Sequence, residues 1–252
     1  MRIDKFLSQL KYVSRHDVVN FLKEHEVIYC EERIHSQRTQ VDPNANPIYL
    51  DGIPIYFKEN IYLKLYKPKG YLSANTDPIH PCAIDLIKEP YRRFELSIAG
   101  RLDIDSEGLL ILSNHGSIIH QIISPRSHLP KVYEVELDRP FKSNQALIDG
   151  VTVLDGKDEP YLAKALHVET KDNFTYITID EGKFHQVKRM FKAVGYTVTN
   201  LKRIQVGKLT LGTLKPGEYE EFILEDLFWQ TLSCKPITFL MNCARTINIR
   251  HF

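Results

Sequence analysis

The stretch from Ser97 to Gly116, SIAGRLDIDSEGLLILSNHG, constrains this chain more than any other. It reads as a short strand, a sharp polar turn, a second apolar strand over Leu109 to Leu112, and an Asn-His-Gly turn. The apolar runs should be buried, which leaves Arg101, Asp103 and Asp105 in a turn held between them. Chemistry is usually placed on such turns, because a rigid scaffold positions them. Three readings compete. In the first, Asp, Ser and Gly simply make the turn, as these residues commonly do. In the second, Asp103, Asp105 and Glu107-Gly108 imitate the start of a calcium-binding loop. That fails, because the twelfth position is Asn114 rather than Glu and Leu109 to Leu112 supply no oxygen ligands. In the third, an aspartate of the turn is catalytic.

The 252 residues suffice for one large domain, or a large and a small one. Hydrophobic residues make up 43% and charged residues 26%, which is ordinary for a soluble globular protein. The formal net charge of +1 excludes a global basic field, so any nucleic-acid surface must be local. Cys30, Cys82, Cys234 and Cys243 form no C-x-x-C pair and no metal spacing, and read as reduced thiols of a cytoplasmic protein. The N-terminus lacks the apolar segment of a signal peptide. No apolar run approaches the roughly 20 residues of a membrane span.

Phe6, Leu7 and Leu10 fall at helical spacing, and Ser14 is placed to cap a second helix buried through Val18, Val19 and Leu22. Short strands follow up to Ile55, and residues 57–61 form a polar connector. Tyr62 to Gly70 opens as a half-buried strand. Cys82 to Ile87 reads as a short helix. Ser117 to Ile123 reads as a helix, Lys131 to Leu137 as a strand, Ser143 to Gly150 as a helix capped by Ser143, and Phe174 to Asp180 as a strand. Val187, Met190, Phe191 and Val194 mark an amphipathic helix ended by Gly195. Two stretches lack acidic residues. Between Glu107 and Glu134 lie Arg126, His128 and Lys131. Between Gly182 and Gly217 lie Lys183, Lys188, Arg189, Lys192, Lys202, Arg203, Lys208 and Lys215. A local polyanion site accounts for such runs, since phosphate contacts dominate nucleic-acid affinity.

GRLD, then SEGLL, then an N-x-G turn resembles the active-site motif of the pseudouridine synthases, in the branch typified by RsuA. The opening YLKLYKPKG, the strand KVYEVEL, the string HQVKRM and the closing LTLGTLKPGEYEEF are similar to the corresponding segments of that family. Residues 1–56, with RIDKFL, SR and Asp51-Gly52, resemble the RNA-binding domain first seen in ribosomal protein S-four. There the chain departs at VIYCEERI, which places Glu31 and Glu32 where relatives carry a glycine-bearing turn. The resemblance covers roughly residues 1–229. It implies that Asp103 is the catalytic nucleophile, that Tyr133 lies against the target base, and that Lys188 pairs with the catalytic aspartate. Lys188 makes a point-charge contact where many relatives have the fork of arginine. Leu214 or a neighbour is expected to line the base pocket, and Arg101 to fill the space left by an extruded base or hold the backbone. Arg2, Lys5 and Arg15 of the small domain, with Arg126, Lys131 and Arg189 of the large one, are the expected RNA contacts.

The expectation is therefore an α+β protein: a small RNA-binding domain over 1–56, a catalytic domain over 62–229 on a mixed, mainly antiparallel sheet, and an extension over 230–252. Runs of strands with few helices between them favour this over a βαβ repeat. The activity implied is isomerisation of a specific uridine to pseudouridine in ribosomal RNA, with the small-subunit RNA preferred. No cofactor and no metal are expected, and the protein is expected to be a monomer. Two rivals stand beside this reading. One is a non-catalytic RNA-binding or ribosome-assembly factor on the same scaffold, disfavoured because Asp103, Tyr133 and Lys188 are all present. The other is a synthase acting on large-subunit ribosomal RNA or transfer RNA.

Overall fold

The computed structural model describes residues 1–142 and 145–228. Helices α1 (Ile3–Gln9) and α2 (Val18–Glu24) precede strands β1 (Val27–Tyr29), β2 (Glu32–Arg33), β3 (Ile48–Leu50) and β4 (Ile53–Pro54). These strands form an antiparallel sheet in the order β2-β1-β3-β4. The second helix begins one turn later than Ser14 suggests. Ser14 instead donates its hydroxyl to the Asp17 carboxylate (2.6 Å), and a turn occupies the residues between.

The region where the sequence departs from its relatives still turns. Tyr29 pairs with Glu32, so Cys30 and Glu31 are the two residues of a tight hairpin, with φ of 50° and 64°. That geometry is normally given to Asn-Gly or Gly-Gly, because a Cβ is strained at positive φ. Asp51 and Gly52 make the companion turn between β3 and β4, with φ of 50° and 80°. There Asp51 is compensated: its carboxylate accepts from the Glu26 amide (2.8 Å) and the His25 ring (2.7 Å).

Among the described residues the large sheet has nine strands: β5 (Tyr62–Lys67), β6 (Ser97–Ala99), β7 (Glu107–Ser113), β8 (Lys131–Leu137), β11 (His167–Lys171), β12 (Phe174–Ile179), β13 (Val198–Val206), β14 (Leu209–Thr210) and β15 (Tyr219–Glu221). Its order is β11-β12-β8-β13-β7-β5-β15, with β6 on β7 and β14 on β13. Every pairing is antiparallel except β13 with β7, so the sheet is mixed and mainly antiparallel, and the fold is α+β. A separate hairpin of β9 (Val151–Leu154) and β10 (Pro160–Ala163) stands beside helix α5 (Gln186–Ala193). Helix α3 (Gly116–Ile123) follows β7, and helix α4 (Gln145–Asp149) precedes β9. The short helix expected near Cys82 is a 3-10 turn over Ala83–Leu86. Ser143 as a cap, Trp229 and the extension over 230–252 lie outside the described residues.

The unbroken apolar run of β7 follows from its central place. Leu110 and Leu112 enter the main apolar cluster, while Leu109 and Ile111 enter a second cluster with Tyr66, Val206 and Phe222. A strand covered on both faces reads as continuous hydrophobicity rather than alternation. The main cluster also runs without a break from Ile3, Phe6 and Leu7 of the small unit to Leu63, Val187 and Phe191 of the large one. Phe6 meets Phe57 at 5.4 Å, the Arg93 guanidinium lies 4.0 Å from the Tyr12 ring, and Tyr56 and Lys58 both bind Glu221 on β15.

The strained hairpin gives a direct test. Glu31→Gly removes a Cβ from a left-handed position and is expected to stabilise the protein by about 1 kcal/mol. That corresponds to a rise of roughly 2–4 °C in the thermal midpoint, read by calorimetry. An unchanged or lower midpoint would show that this turn stores no strain.

Candidate active site

The turn carrying Asp103 is fastened from several directions. From beneath, Arg203 of β13 is 2% exposed, and its guanidinium donates to the carbonyls of Leu109 (2.8 Å), Gly100 (3.1 Å) and Arg101 (3.4 Å). This requires β13 and β7 to approach closely in their parallel pairing, where Arg203 lies opposite Gly108. Gly108 has φ of +107°, and a Cβ there would overlap the Arg203 backbone, so only glycine allows the junction. Lys67, at the end of β5, is fully buried and donates to the carbonyls of Ser106 (2.7 Å) and Pro68 (2.9 Å). From the side, the Ser73 hydroxyl accepts from the Leu102 amide (2.9 Å) and donates to the Leu102 carbonyl (2.8 Å). The Gly70 amide donates to the Ile104 carbonyl (2.7 Å). The residues on both sides of Asp103 are thus fixed before its side chain makes any contact.

Above the turn stands the first turn of α5. Val187, Met190 and Phe191 are buried in the main cluster, which leaves Lys188 on the side facing the two carboxylates. Its ammonium lies 3.2 Å from Asp103 Oδ2 and 2.6 Å from Asp105 Oδ1. The pair expected between Lys188 and Asp103 is therefore a three-membered arrangement in which Asp105 holds the shorter contact. The carboxylates differ in shelter: the Asp103 side chain is 26% exposed and that of Asp105 is 68%. Burial pushes the Asp105 carboxyl upward, but the Lys188 hydrogen bond and charge outweigh it and leave it below its ordinary value. His185, just before α5, has left-handed backbone (φ 51°), and its Nε2 lies 3.3 Å from Asp103 Oδ1.

The remaining expected site residues are dispersed. Tyr133 on β8 is 6% exposed and lies opposite Arg203, which puts both side chains on one face of the sheet, one strand from the turn. Arg101 is exposed, and among the described residues its side chain makes no hydrogen bond or ion pair, so it is free to meet a ligand. Leu214 is half-buried against the second apolar cluster. Arg126, Lys5 and Arg15 are exposed, and Arg2 is paired with Asp4 at 2.6 Å. Lys131, expected among the RNA contacts, opens β8 with its side chain turned inward. It is 8% exposed, and its ammonium donates to the Leu129 carbonyl (2.8 Å). The guanidinium of Arg189 is engaged by the carbonyls of Leu154 and Asp155.

The acid-free run from Gly182 to Gly217 is therefore not one basic surface. Arg203 is interior, Arg189 is tied to β9, Lys202 faces Glu134 (3.6 Å), and Lys188 serves the turn. A strand or helix distributes successive residues over different faces, and the sequence alone does not say which face is covered. The sequence reading missed Arg203 as the buried anchor, Lys67 as a second one, and His185 as a neighbour of Asp103. The only signals were the K-P-K-G strand end for Lys67 and the H-Q-V string for His185.

Comparison with known proteins places this arrangement in context. Residues 61–193 match the RNA pseudouridylate synthase family. The chain is 39% identical over 231 residues to the uncharacterized RNA pseudouridine synthase YtzG of Bacillus subtilis, covering 90% of this chain and 97% of that one. It is 37% identical to the ribosomal small subunit pseudouridine synthase A of Escherichia coli, covering 90% and 98%. A crystal structure of a pseudouridylate synthase superposes with a TM-score of 0.60 at 32% identity, covering 90% of this chain and 97% of that one. The chain belongs to the RNA pseudouridylate synthase family and is an RNA pseudouridine synthase, an isomerase. Among the described residues no helix is long and apolar enough to cross a membrane.

The buried lysines make stability depend on pH. Burial lowers both Lys67 and Lys131 from the ordinary 10.5 to about 8. Between these values the unfolded chain binds more protons than the fold, so stability rises with pH across that window and is flat below it. From pH 8 to about 9.5 the gain should be about 2 kcal/mol per lysine, an order-of-magnitude figure. Tyr62, half-buried and pushed above its ordinary 10 by that partial burial, acts in the opposite sense only at higher pH. Urea unfolding at pH 7.5 to 9.5 should show this rise, and the double variant Lys67→Met, Lys131→Met should flatten it. A flat wild-type profile would contradict the assignment.

Proposed function

We propose that this synthase converts one uridine of small-subunit ribosomal RNA to pseudouridine, with Asp103 as the reacting carboxylate. The observation that carries the choice of residue is the difference between the two aspartates. Asp103 is the sheltered one, flanked by Lys188 and His185 on a turn that is immobilised on every side. Asp105 faces water. In the reaction the bond from C1′ to N1 of the uracil breaks and the base turns while held. C5 then bonds to C1′, N1 takes up a proton and C5 releases one. An ionised carboxylate is competent as nucleophile or base for this. The Lys188 ammonium, 3.2 Å from Asp103 Oδ2, is placed to balance the charge of that carboxylate.

A uridine in structured RNA must leave its stack before it reaches Asp103, at a cost of a few kcal/mol. Arg101, exposed and unpaired beside Asp103, is suited to hold the displaced backbone or fill the gap. Tyr133 is assigned to the uracil ring, and Leu214 to the pocket wall. Residues 1–56 act as the RNA-binding unit through Lys5 and Arg15, with Arg126 contributing from the large unit. The named relatives of small-subunit specificity, at 37% identity over 90% of this chain, support the choice of RNA. The enzyme is taken to act in the cytoplasm as a monomer on ribosomal RNA still being assembled.

Two measurements check the proposal. Carbodiimide mapping of ribosomal RNA from cells with and without the gene should show one small-subunit position losing its adduct. Loss of a signal only in another RNA would change the substrate and keep the enzyme class. For the site, single-turnover tritium release from RNA labelled at C5 of uracil should vanish in Asp103→Asn, with RNA affinity little changed because phosphate contacts elsewhere hold the RNA. Asp105→Asn should keep measurable turnover. Lys188→Met should lose most of it, and Lys188→Arg should recover part. Comparable rates for Asp103→Asn and wild type would remove Asp103 from the chemistry.

A further inference from the structure

We propose that Phe184 and His185 form a stacking platform for the nucleobase adjoining the target uridine. This rests on the reading that the substrate is RNA. Phe184 is 48% exposed, and a single exposed apolar side chain is in itself unremarked in a folded protein. What sets this one apart is how firmly it is held. Its ring stacks on the His185 imidazole with centroids 3.8 Å apart and planes 19° from parallel. The Arg189 guanidinium lies 5.0 Å from the ring centroid and is itself fixed by the carbonyls of Leu154 and Asp155 at the end of β9. Gly156, at the tip of the β9–β10 hairpin, closes on the stem: a Cβ added there would come within 3.2 Å of Phe184 Cβ. His185 holds its place with a left-handed backbone, a conformation that persists only where surrounding contacts over-determine it.

An aromatic pair kept rigid yet half in water is a preformed binding surface, since little ordering remains to be done when a ligand arrives. Its location selects the ligand. His185 Nε2 is 3.3 Å from Asp103 Oδ1, so a ring added to this stack belongs to the nucleotide next to the one whose glycosidic bond lies at Asp103. Extruding the uridine leaves that neighbour without a stacking partner. The platform replaces the lost contact, and it accepts any base because every base presents a π-face. Phe184 and His185 thereby lower the cost of extrusion without touching the reacting atoms.

The test uses the full-length protein and an RNA fragment carrying the uridine that mapping identifies, in an Asp103→Asn background so that binding is read without turnover. Phe184→Ala should weaken binding roughly 5- to 150-fold, the range expected for one base–aromatic stack. Phe184→Tyr should restore it, and Phe184→Leu, which keeps apolar bulk, should not. Fragments abasic at the position 5′ or 3′ of the uridine separate stacking from general packing. On one of them the wild-type sequence at position 184 should already bind weakly, and Phe184→Ala should add no further loss. Wild-type affinity of Phe184→Ala for the intact fragment would overturn the platform. So would an equal loss on the intact and both abasic fragments. Failure of the protein with Asp103 intact to modify any RNA would instead overturn the substrate reading, and this inference with it.

Discussion

Arg203 carries a full positive charge into a place where water does not reach, and the turn bearing Asp103 is organised around it. Burying a charge costs several kcal/mol unless its hydrogen-bonding capacity is met. Here it is met by three backbone carbonyls, of which those of Gly100 and Arg101 belong to the turn itself. The turn therefore cannot relax without orphaning a buried guanidinium. The same constraint ties the turn to the sheet. Arg203 can reach those carbonyls only because β13 runs parallel to β7 and touches it at Gly108, where no side chain intervenes. The single parallel pairing of the large sheet among the described residues is thus the place where the Asp103 turn is anchored.

The charges behind the turn have a second consequence. Lys67 and Arg203 are both cations in a poorly solvated interior, and both lie beneath a segment carrying Asp103, Asp105 and Glu107. In such surroundings charge interactions are far stronger than in water. The acidic turn offsets part of the cost of burying the cations. Lys188 then meets the same turn from the other side. Its contact with both aspartates spreads one cation over two anions, and their unequal exposure separates a sheltered carboxylate from a solvated one.

Several elements were legible because their patterns are local. The strand at Lys131–Leu137 has the predicted ends, and the amphipathic period around Val187 produces the helix that presents Lys188. The run Leu109 to Leu112 marks a strand, and only its continuity hinted that both faces would be covered. Charge was where the sequence misled. Arg203, Lys131 and Arg189 looked like members of basic runs, yet one is an interior anchor, one is folded back onto a carbonyl, and one is bound to a hairpin. The turn at Cys30-Glu31 showed the reverse error of emphasis. The glycine is absent, but the hairpin forms, because the pairing on both sides outweighs the strain of two side chains at positive φ.

The sequence by itself marked many of the strands and helices and, through its resemblance to the synthases, singled out Asp103, Tyr133 and Lys188 as candidates. The elements follow from periodicity and the three residues from the resemblance of short motifs to that family, and both are properties of contiguous residues. The tertiary structure alone decided which positive charges face solvent, that Lys188 is shared with Asp105, that His185 stands against Asp103, and that Arg203 holds the turn from within. Each of these depends on how elements far apart in the chain pack together, and for Arg203 on the register of β13 against β7. Shifting that register by one residue would send every side chain to the other face.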